Sequence, residues 1–375
     1  MDFFNLVWDD RLFEKMRQCT LERAEQDQHA PKAFKRQLRR LDTPLLRKCL
    51  GLFLAQGLVH IPNKRAYWNT TSPLYDFPFF KNIGISRGTY FAFEKYLRFS
   101  TEAEIQEGLA NGDKMARISG LMNYLQRRYH DLRNATFFFV IDESMAKFSG
   151  QSSLKQRIPT KPIRNGYKVY VLSDDDGYIR EHEVYGAVKH GADEWGYDGT
   201  FGMINRLIKS YAGRQHILVL DNAFTSLYHA QFLVDELGTH EVGTLAANRL
   251  PKPLLKYKKK EIEAKGVGWS DFAASHNVRV FLWNDNSTAR FISTFHGTNE
   301  STFVMAKEKG HKERQKRKCP TVAPMYRKKM RGVDLTDQRM AMIIPDRLRR
   351  NKNYARLFEW SFIGSINNVY VLYRE

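Results

Sequence analysis

Two short, dense apolar runs that each end in an aspartate do most to limit what this chain can fold into: TFFFVID (136–142) and HILVLD (216–221). Runs of this length, rich in β-branched and aromatic side chains and bounded by polar residues, read as buried strands. A carboxylate at the end of such a strand is expensive to remove from water unless a cation compensates it. In an open sheet, neighbouring strand ends are also where functional groups converge. Asp142 and Asp221 are therefore candidate metal-holding acids. Capping is the simpler reading of each: Asp142 precedes Glu143 and Ser144, Asp221 precedes Asn222, and either suits the start of a turn or helix.

The flanking sequence places these strands in a mixed α/β chain. Residues 1–134 carry helix-period patterns: LLRKCLGLFLAQGLVHIP (45–62) reads as a buried helix stopped by Pro62, SRGTYFAFEKYLRF (86–99) as a helix capped by Ser86, and ISGLMNYLQRRYHDLR (118–133) as a third with a basic outer face. After TFFFVID, the segments GYKVYVLS (166–173) and REHEVYGAV (180–188) are separated by the turn SDDDGY and predict an antiparallel meander. A helix over 200–212 leads to HILVLD, and FTSLYHAQFLVDELG (224–238) reads as a helix closed by glycine. From Pro251 to about Cys319, basic runs alternate with WSDF, VRVFLW (278–283) and ARFISTF (289–295). This stretch looks like an inserted, partly β subdomain with mobile basic connectors, among them KEKGHKERQKRK (307–318). VDLTDQRMAMII (333–344) and YARLFEWSFIGSINNVYVLYRE (354–375) read as two closing helices. The expected division is a helical unit over 1–134, a core over 135–250, a basic insertion over 251–320 and the rest of the core over 321–375.

Charge narrows the partner. Sixty Lys and Arg against 41 Asp and Glu give a formal charge of +19, which favours encounter with an acidic polymer, nucleic acid first. Three widely spaced cysteines (Cys19, Cys49, Cys319) build neither a disulfide framework nor a zinc pair. No apolar run is long enough to span a membrane, and MDFFNLVWDDRLFEKM lacks the layout of a signal peptide. Asp334 and Asp337, three apart on a helix, share a face amid basic neighbours in YRKKMRGVDLTDQ. They suit either the first turn of a helix or a phosphate-bound metal site. Four acids on three elements would let two metal ions serve an in-line phosphoryl transfer.

The ordered motifs IDESMAKFSG, KPIRNGYKVYVLSDDDGY, LDNAFTSLYHAQFL, GTLAANRLPK and CPTVAPMYRKKMRGVDLTDQ resemble those of the piggyBac transposase family. RRLDTPLLRKCLGLFLAQGLVHIPNKRAYWNTTSPLYDFPFFKNIGISRGTYFAFEKYLRFS is similar to its N-terminal helical region, and INNVYVLYRE to the close of its catalytic domain. The resemblance implies an RNase H-like core interrupted by an insertion domain. It also implies a site of Asp142, Asp221, Asp334 and Asp337 holding two Mg²⁺ or Mn²⁺ ions. The implied reaction is cut-and-paste transposition at TTAA through a DNA hairpin on the transposon end. By the same resemblance Asn222 and Ser226 lie beside the target, while Lys161, Arg164, Lys168, Arg249 and Lys252 contact the DNA backbone. A homodimer on double-stranded DNA and a nuclear location are expected, RQKRK (314–318) being a candidate import signal. Arg327 and Arg331 depart from the family's usual Asn and Gly. Family members commonly continue into a Cys-rich zinc tail, which the three cysteines here cannot build, so no zinc is expected in this chain. A domesticated, DNA-binding or genome-rearranging relative is the rival reading, and a non-catalytic nucleic-acid-binding protein the third.

Overall fold

The computed structural model describes residues 2–61, 63–69, 80, 82–255, 257–307, 313–343 and 353–375. Its first part is helical: α1 (Phe3–Val7), α2 (Asp10–Gln26), α3 (Lys32–Leu38), α4 (Thr43–Leu58), α5 (Arg87–Tyr96), α6 (Glu102–Ala110) and α7 (Ser119–Leu132). Local chemistry sets most of the starts. The carboxylates of Asp9 and Asp42 accept the backbone N–H groups of Leu12 and Leu45, Ser86 accepts that of Thr89, and Thr101 with Glu104 forms a reciprocal capping box. Helix α4 ends at Leu58, ahead of Pro62, which lies outside the described residues.

The strands follow: β1 (Phe138–Lys147), β2 (Lys155–Arg157), β3 (Asn165–Asp174), β4 (Ile179–Val184), β5 (Ile217–Leu220), β6 (His240–Thr244), β7 (Ser270–Ser275), β8 (Val278–Asn284) and β9 (Thr288–Ser293). They form one sheet of nine strands in the order β2-β3-β1-β5-β6-β9-β8-β7, with β4 also on β3. Only β1, β5 and β6 run parallel; the other pairings, including the expected meander β1-β3-β4, are antiparallel. Helices α8 (Gly199–Ile208) and α9 (Leu227–Asp235) supply the crossovers, and two short helices, α10 (Lys252–Leu255) and α11 (Lys259–Ala264), precede β7.

Two readings of the sequence change here. Strand β1 does not stop at Asp142: β3 pairs with it from Phe139 to Lys147, well past the end of its pairing with β5. The strands of 270–293 join the central sheet, β9 pairing with β6. The basic run at 314–318 is not a mobile connector. It lies in β11 (Arg314–Pro320), paired antiparallel with β10 (Ser301–Lys307). The continuation of β1 escaped notice because the polar Glu143 and Ser144 follow the apolar run directly, and β11 because it buries only Arg317, Cys319 and Pro320 among exposed cations.

One face of the sheet, carrying Val140, Val171, Val219 and Val242, shares a continuous core with the N-terminal helices and with α14 (Asn353–Arg374). Trp8 anchors that contact, its indole donating to Ser365 Oγ at 2.8 Å and its ring meeting Phe362 edge-on at 5.0 Å. The N-terminal helices thus pack without a core of their own. The other face, with Phe139, Ile141, Leu218 and Leu220, packs on Met203, Leu207 and Leu233 of α8 and α9. Among the described residues no helix is long and apolar enough to cross a membrane.

Glu241 breaks the apolar pattern. It pairs with Leu218 across β6 and β5, is fully buried, and neither carboxylate oxygen has a hydrogen-bond partner among the described residues. Burial pushes its carboxyl up to about 8. Below about pH 4.5 both folded and unfolded states hold the proton; between there and 8 only the folded state does, so stability falls as pH rises through this window. Glu241→Gln should remove that slope. Urea denaturation should show the variant gaining on the wild type by about 2–4 kcal/mol between pH 5 and pH 8, from ~1.4 kcal/mol per unit discounted for relaxation. A constant difference across that range would contradict the account.

Candidate active site

The ladder between β1 and β5 ends at the pair Ile141–Leu220, so Asp142 and Asp221 follow side by side. Alternation decides which way they face. Ile141 and Leu220 point to the α8/α9 side, and Val140 and Val219 to the side of α14, so the next residues return to the α14 side. Across the other edge of β1, Asp142 pairs with Val171, which belongs to the same core. Each acid is fixed locally. Asp142 Oδ1 accepts the N–H of Glu143 at 2.7 Å; Asp221 Oδ1 accepts that of Ala223 at 2.7 Å, while Thr225 Oγ1 donates to the Asp221 carbonyl at 2.6 Å. Asp221 therefore does cap a turn, and capping and clustering prove compatible.

The remaining acids arrive on α13 (Gly332–Ala341), which follows α12 (Val322–Lys329). Gly332 makes the approach possible: a Cβ there would lie 2.4 Å from the Asp174 carbonyl oxygen and 2.6 Å from Ser173 Oγ, at the end of β3. Thr336 then bonds the Gly177 carbonyl at 2.8 Å. Asp337, one turn beyond Val333, receives a 2.5 Å hydrogen bond from Ser144 Oγ. Ser144 is two residues from Asp142 on the same face of β1, roughly 7 Å along the strand. Its hydroxyl in turn accepts the indole N–H of Trp360, on α14, at 2.9 Å. Asp334 lies in the first turn of α13 and is exposed.

Burial and like charge dominate the electrostatics. Burial pushes Asp142 up to about 7, with Glu143 and Asp221 adding to the rise; the Lys161 ammonium, 4.0 Å from Asp142 Oδ1, and the Glu143 N–H oppose it. Burial likewise raises Asp221, and pushes Asp337 up to about 6 against the Ser144 hydrogen bond and Lys161. Tyr326, on α12, approaches Thr244 Oγ1 at 3.4 Å; burial pushes its phenol up to about 12, with Asp221, Asp142 and Asp334 all adding to the rise. Tyr326 thus lies within electrostatic reach of three of the four acids.

The donors are all oxygens, as Mg²⁺ or Mn²⁺ demands. Among the described residues no three His, Cys, Asp or Glu groups close on a single point, so the four acids are not a preassembled cage. Mg²⁺ is commonly held by one or two carboxylates, with water and substrate phosphate completing its shell. The adjacent, incompletely compensated pair Asp142/Asp221 fits that requirement.

The candidate DNA contacts are spread around this centre. Lys161 turns inward, donating to the Glu143 carbonyl at 3.0 Å. Arg164 is exposed on the approach to β3, and Lys168 lies over Tyr170 at 4.6 Å. Asn222 is exposed, Ser226 is half-buried at the start of α9, and Lys252 is exposed at the start of α10. Arg249 donates to the carbonyls of Asn222 and Thr225, so it braces the loop after Asp221. Arg327 bonds Asp285 at 2.7 Å and lies over Trp283 at 5.1 Å, docking α12 on β8. Sequence reasoning missed Glu143, Ser144, Tyr326 and Trp360. Ser144 carried a signal in its two-residue spacing from Asp142 and Glu143 in its adjacency to that acid, whereas Tyr326 and Trp360 depend on helices that meet the sheet from far along the chain.

A family model described as Transposase IS4 matches residues 1–370. The chain belongs to the piggyBac transposase family. Its relatives include two human proteins, PiggyBac transposable element-derived protein 2, 22% identical over 87% of this chain and 55% of the relative, and protein 3, 26% identical over 78% and 49%. The chain spans about half the length of these curated relatives. A cryo-EM structure of a piggyBac transposase synaptic complex with hairpin DNA superposes with a TM-score of 0.77 at 18% identity, covering 99% of this chain and 74% of that one. That likeness establishes the fold, and with it the mixed α/β class.

The Trp360–Ser144–Asp337 relay makes a stability prediction. Ser144→Ala leaves a buried indole N–H without its acceptor and Asp337 without its donor, at a cost of about 1–3 kcal/mol. Ser144→Thr keeps the hydroxyl and should recover most of that. Equal urea midpoints for wild type and the alanine variant would show that the relay contributes nothing.

Proposed function

We propose that this chain is the catalytic core of a DNA transposase that uses divalent metal to cut and join strands at TTAA, through a hairpin on the transposon end. The observation that carries the reading is the pair Asp142/Asp221, following side by side at the end of a parallel ladder, with Asp337 brought to Ser144 of the same strand by α13, the helix that also bears Asp334. Asp142 and Asp221, with Asp334 and Asp337, would hold Mg²⁺ or Mn²⁺. Two bound ions would supply an activated water or hydroxyl and charge for the leaving oxygen. The chain's own groups do the positioning: Ser144 orients Asp337, Lys161 offsets the acids before substrate arrives, and Arg249 sets the loop that bears Asn222 and Ser226. Exposed Arg164 and Lys252, together with the net charge of +19, suit a phosphate backbone. The substrate is double-stranded DNA, the working form a homodimer matched to a palindromic target, and the site of action the nucleus.

A second reading has its own support: the human relatives are named as transposable element-derived proteins. In that reading the chain binds or rearranges host DNA without moving an element of its own.

Incubating the protein with TTAA-flanked duplex and Mg²⁺ or Mn²⁺ separates the two. Wild type should nick at the TTAA boundary, and Asp142→Asn should lose at least about 100-fold in rate, the scale of removing one preorganised electrostatic group from a phosphoryl-transfer site. Nicking that survives the substitution would overturn the assignment of Asp142. Tight duplex binding without cutting by wild type would favour the second reading.

A further inference from the structure

The hairpin of β10 and β11 stands outside the central sheet and presents two unlike faces. Directly paired residues of an antiparallel ladder share a face. The register therefore puts Phe303 with Lys318, Met305 with Lys316, and Lys307 with Arg314 on one side. All six are exposed, and neither of the remaining pair on that side, Ser301 and Pro320, is acidic. Phe303 and Met305 are 57% and 59% exposed, unusual for large apolar groups, and the Lys316 ammonium lies 4.5 Å from the centroid of the Phe303 ring. The opposite face is anchored. Arg317 is buried in an ion pair with Asp285, Cys319 is buried, and the Trp283 indole donates to the Lys318 carbonyl at 3.0 Å. From Pro320 the chain runs directly into α12 and then α13, the helices that carry Tyr326, Asp334 and Asp337.

We infer that this ribbon is a duplex-DNA contact, laying Lys307, Arg314, Lys316 and Lys318 against phosphates while Phe303 and Met305 meet the groove. The inference rests on the reading of the chain as a DNA-acting protein and adds where the duplex is held. Strands about 4.8 Å apart make a ribbon narrow enough for a major groove ~12 Å wide. Four cations, with no acid among the described residues of the face, give the complementary charge. Two apolar side chains flanked by those cations are too small a patch for a stable chain–chain interface, which buries on the order of 1,000 Å² or more. The fixed attachment to α12 and α13 means that a duplex held by the ribbon is also placed relative to the acids. It further means that RQKRK is not a free basic tail, since Arg317 is committed to Asp285.

The test is fluorescence anisotropy with a labelled 30-base-pair TTAA-containing duplex, without metal, across a salt series. Lys316→Gln with Lys318→Gln should weaken binding roughly ten- to thirtyfold near 0.15 M salt and lower the slope of log K against log salt by about 2, from counterion release at two phosphates. Phe303→Ser with Met305→Ser should weaken binding while leaving that slope in place. Thermal midpoints should stay within about 2 °C of wild type, since all four positions are exposed. If wild type binds the duplex and both double variants bind it equally well with the same slope, the ribbon assignment fails while the DNA reading stands. If wild type shows no binding, both fail. A shift from dimer to monomer in Phe303→Ser/Met305→Ser, or loss of binding to a nuclear import receptor in the lysine variant, each with unchanged duplex affinity, would assign the face to a protein partner and overturn the proposal.

Discussion

Asp142 and Asp221 lie next to each other because Ile141 and Leu220 are the last pair of a buried parallel ladder, and the backbone gives the residues that follow no other place to go. Two carboxylates in that position repel each other and lose much of their hydration, which is why burial drives Asp142 up to about 7. A fold keeps such an arrangement only where something offsets it. Here Lys161 does so in part, with backbone N–H groups from Glu143 and Ala223. The remaining imbalance is what the proposed metal ions would offset.

That arrangement depends on contacts between distant parts of the chain. Helix α14 closes the core against Trp8 and Phe53 of the N-terminal helices, and the same helix reaches the sheet through Trp360 and Ser144. Helix α13 can lie on β3 only because Gly332 presents no side chain to the Asp174 carbonyl. The helical part and the sheet are thus energetically one unit, and the position of Asp337 depends on both.

Much of this was legible in the sequence. The two apolar runs announced the central strands, Ser86 announced its helix, and Asp334 with Asp337 announced a helix face, because each signal is local. What could not be read was non-local or masked by composition. The continuation of β1 beyond Asp142 is enforced by β3 rather than by its own residues. Strand β11 looked like a basic connector because only Arg317, Cys319 and Pro320 are buried. Lys161, expected to face DNA by resemblance to the family, turns toward the acids in this structure, a choice set by the loop between β2 and β3. The Trp360–Ser144–Asp337 relay joins three elements that no sequence window contains.

We propose that the Asp142/Asp221 pair is a cation site whose mutual repulsion strains the metal-free protein. Thermal denaturation in a Mg²⁺ or Mn²⁺ titration tests it without relying on DNA cleavage. Wild type should gain stability as the ion is added, by mass action on the folded state. Asp142→Asn should melt higher than wild type without metal and lose most of the response to the ion. A wild type indifferent to either ion, together with an Asp142→Asn variant that melts lower, would contradict the account.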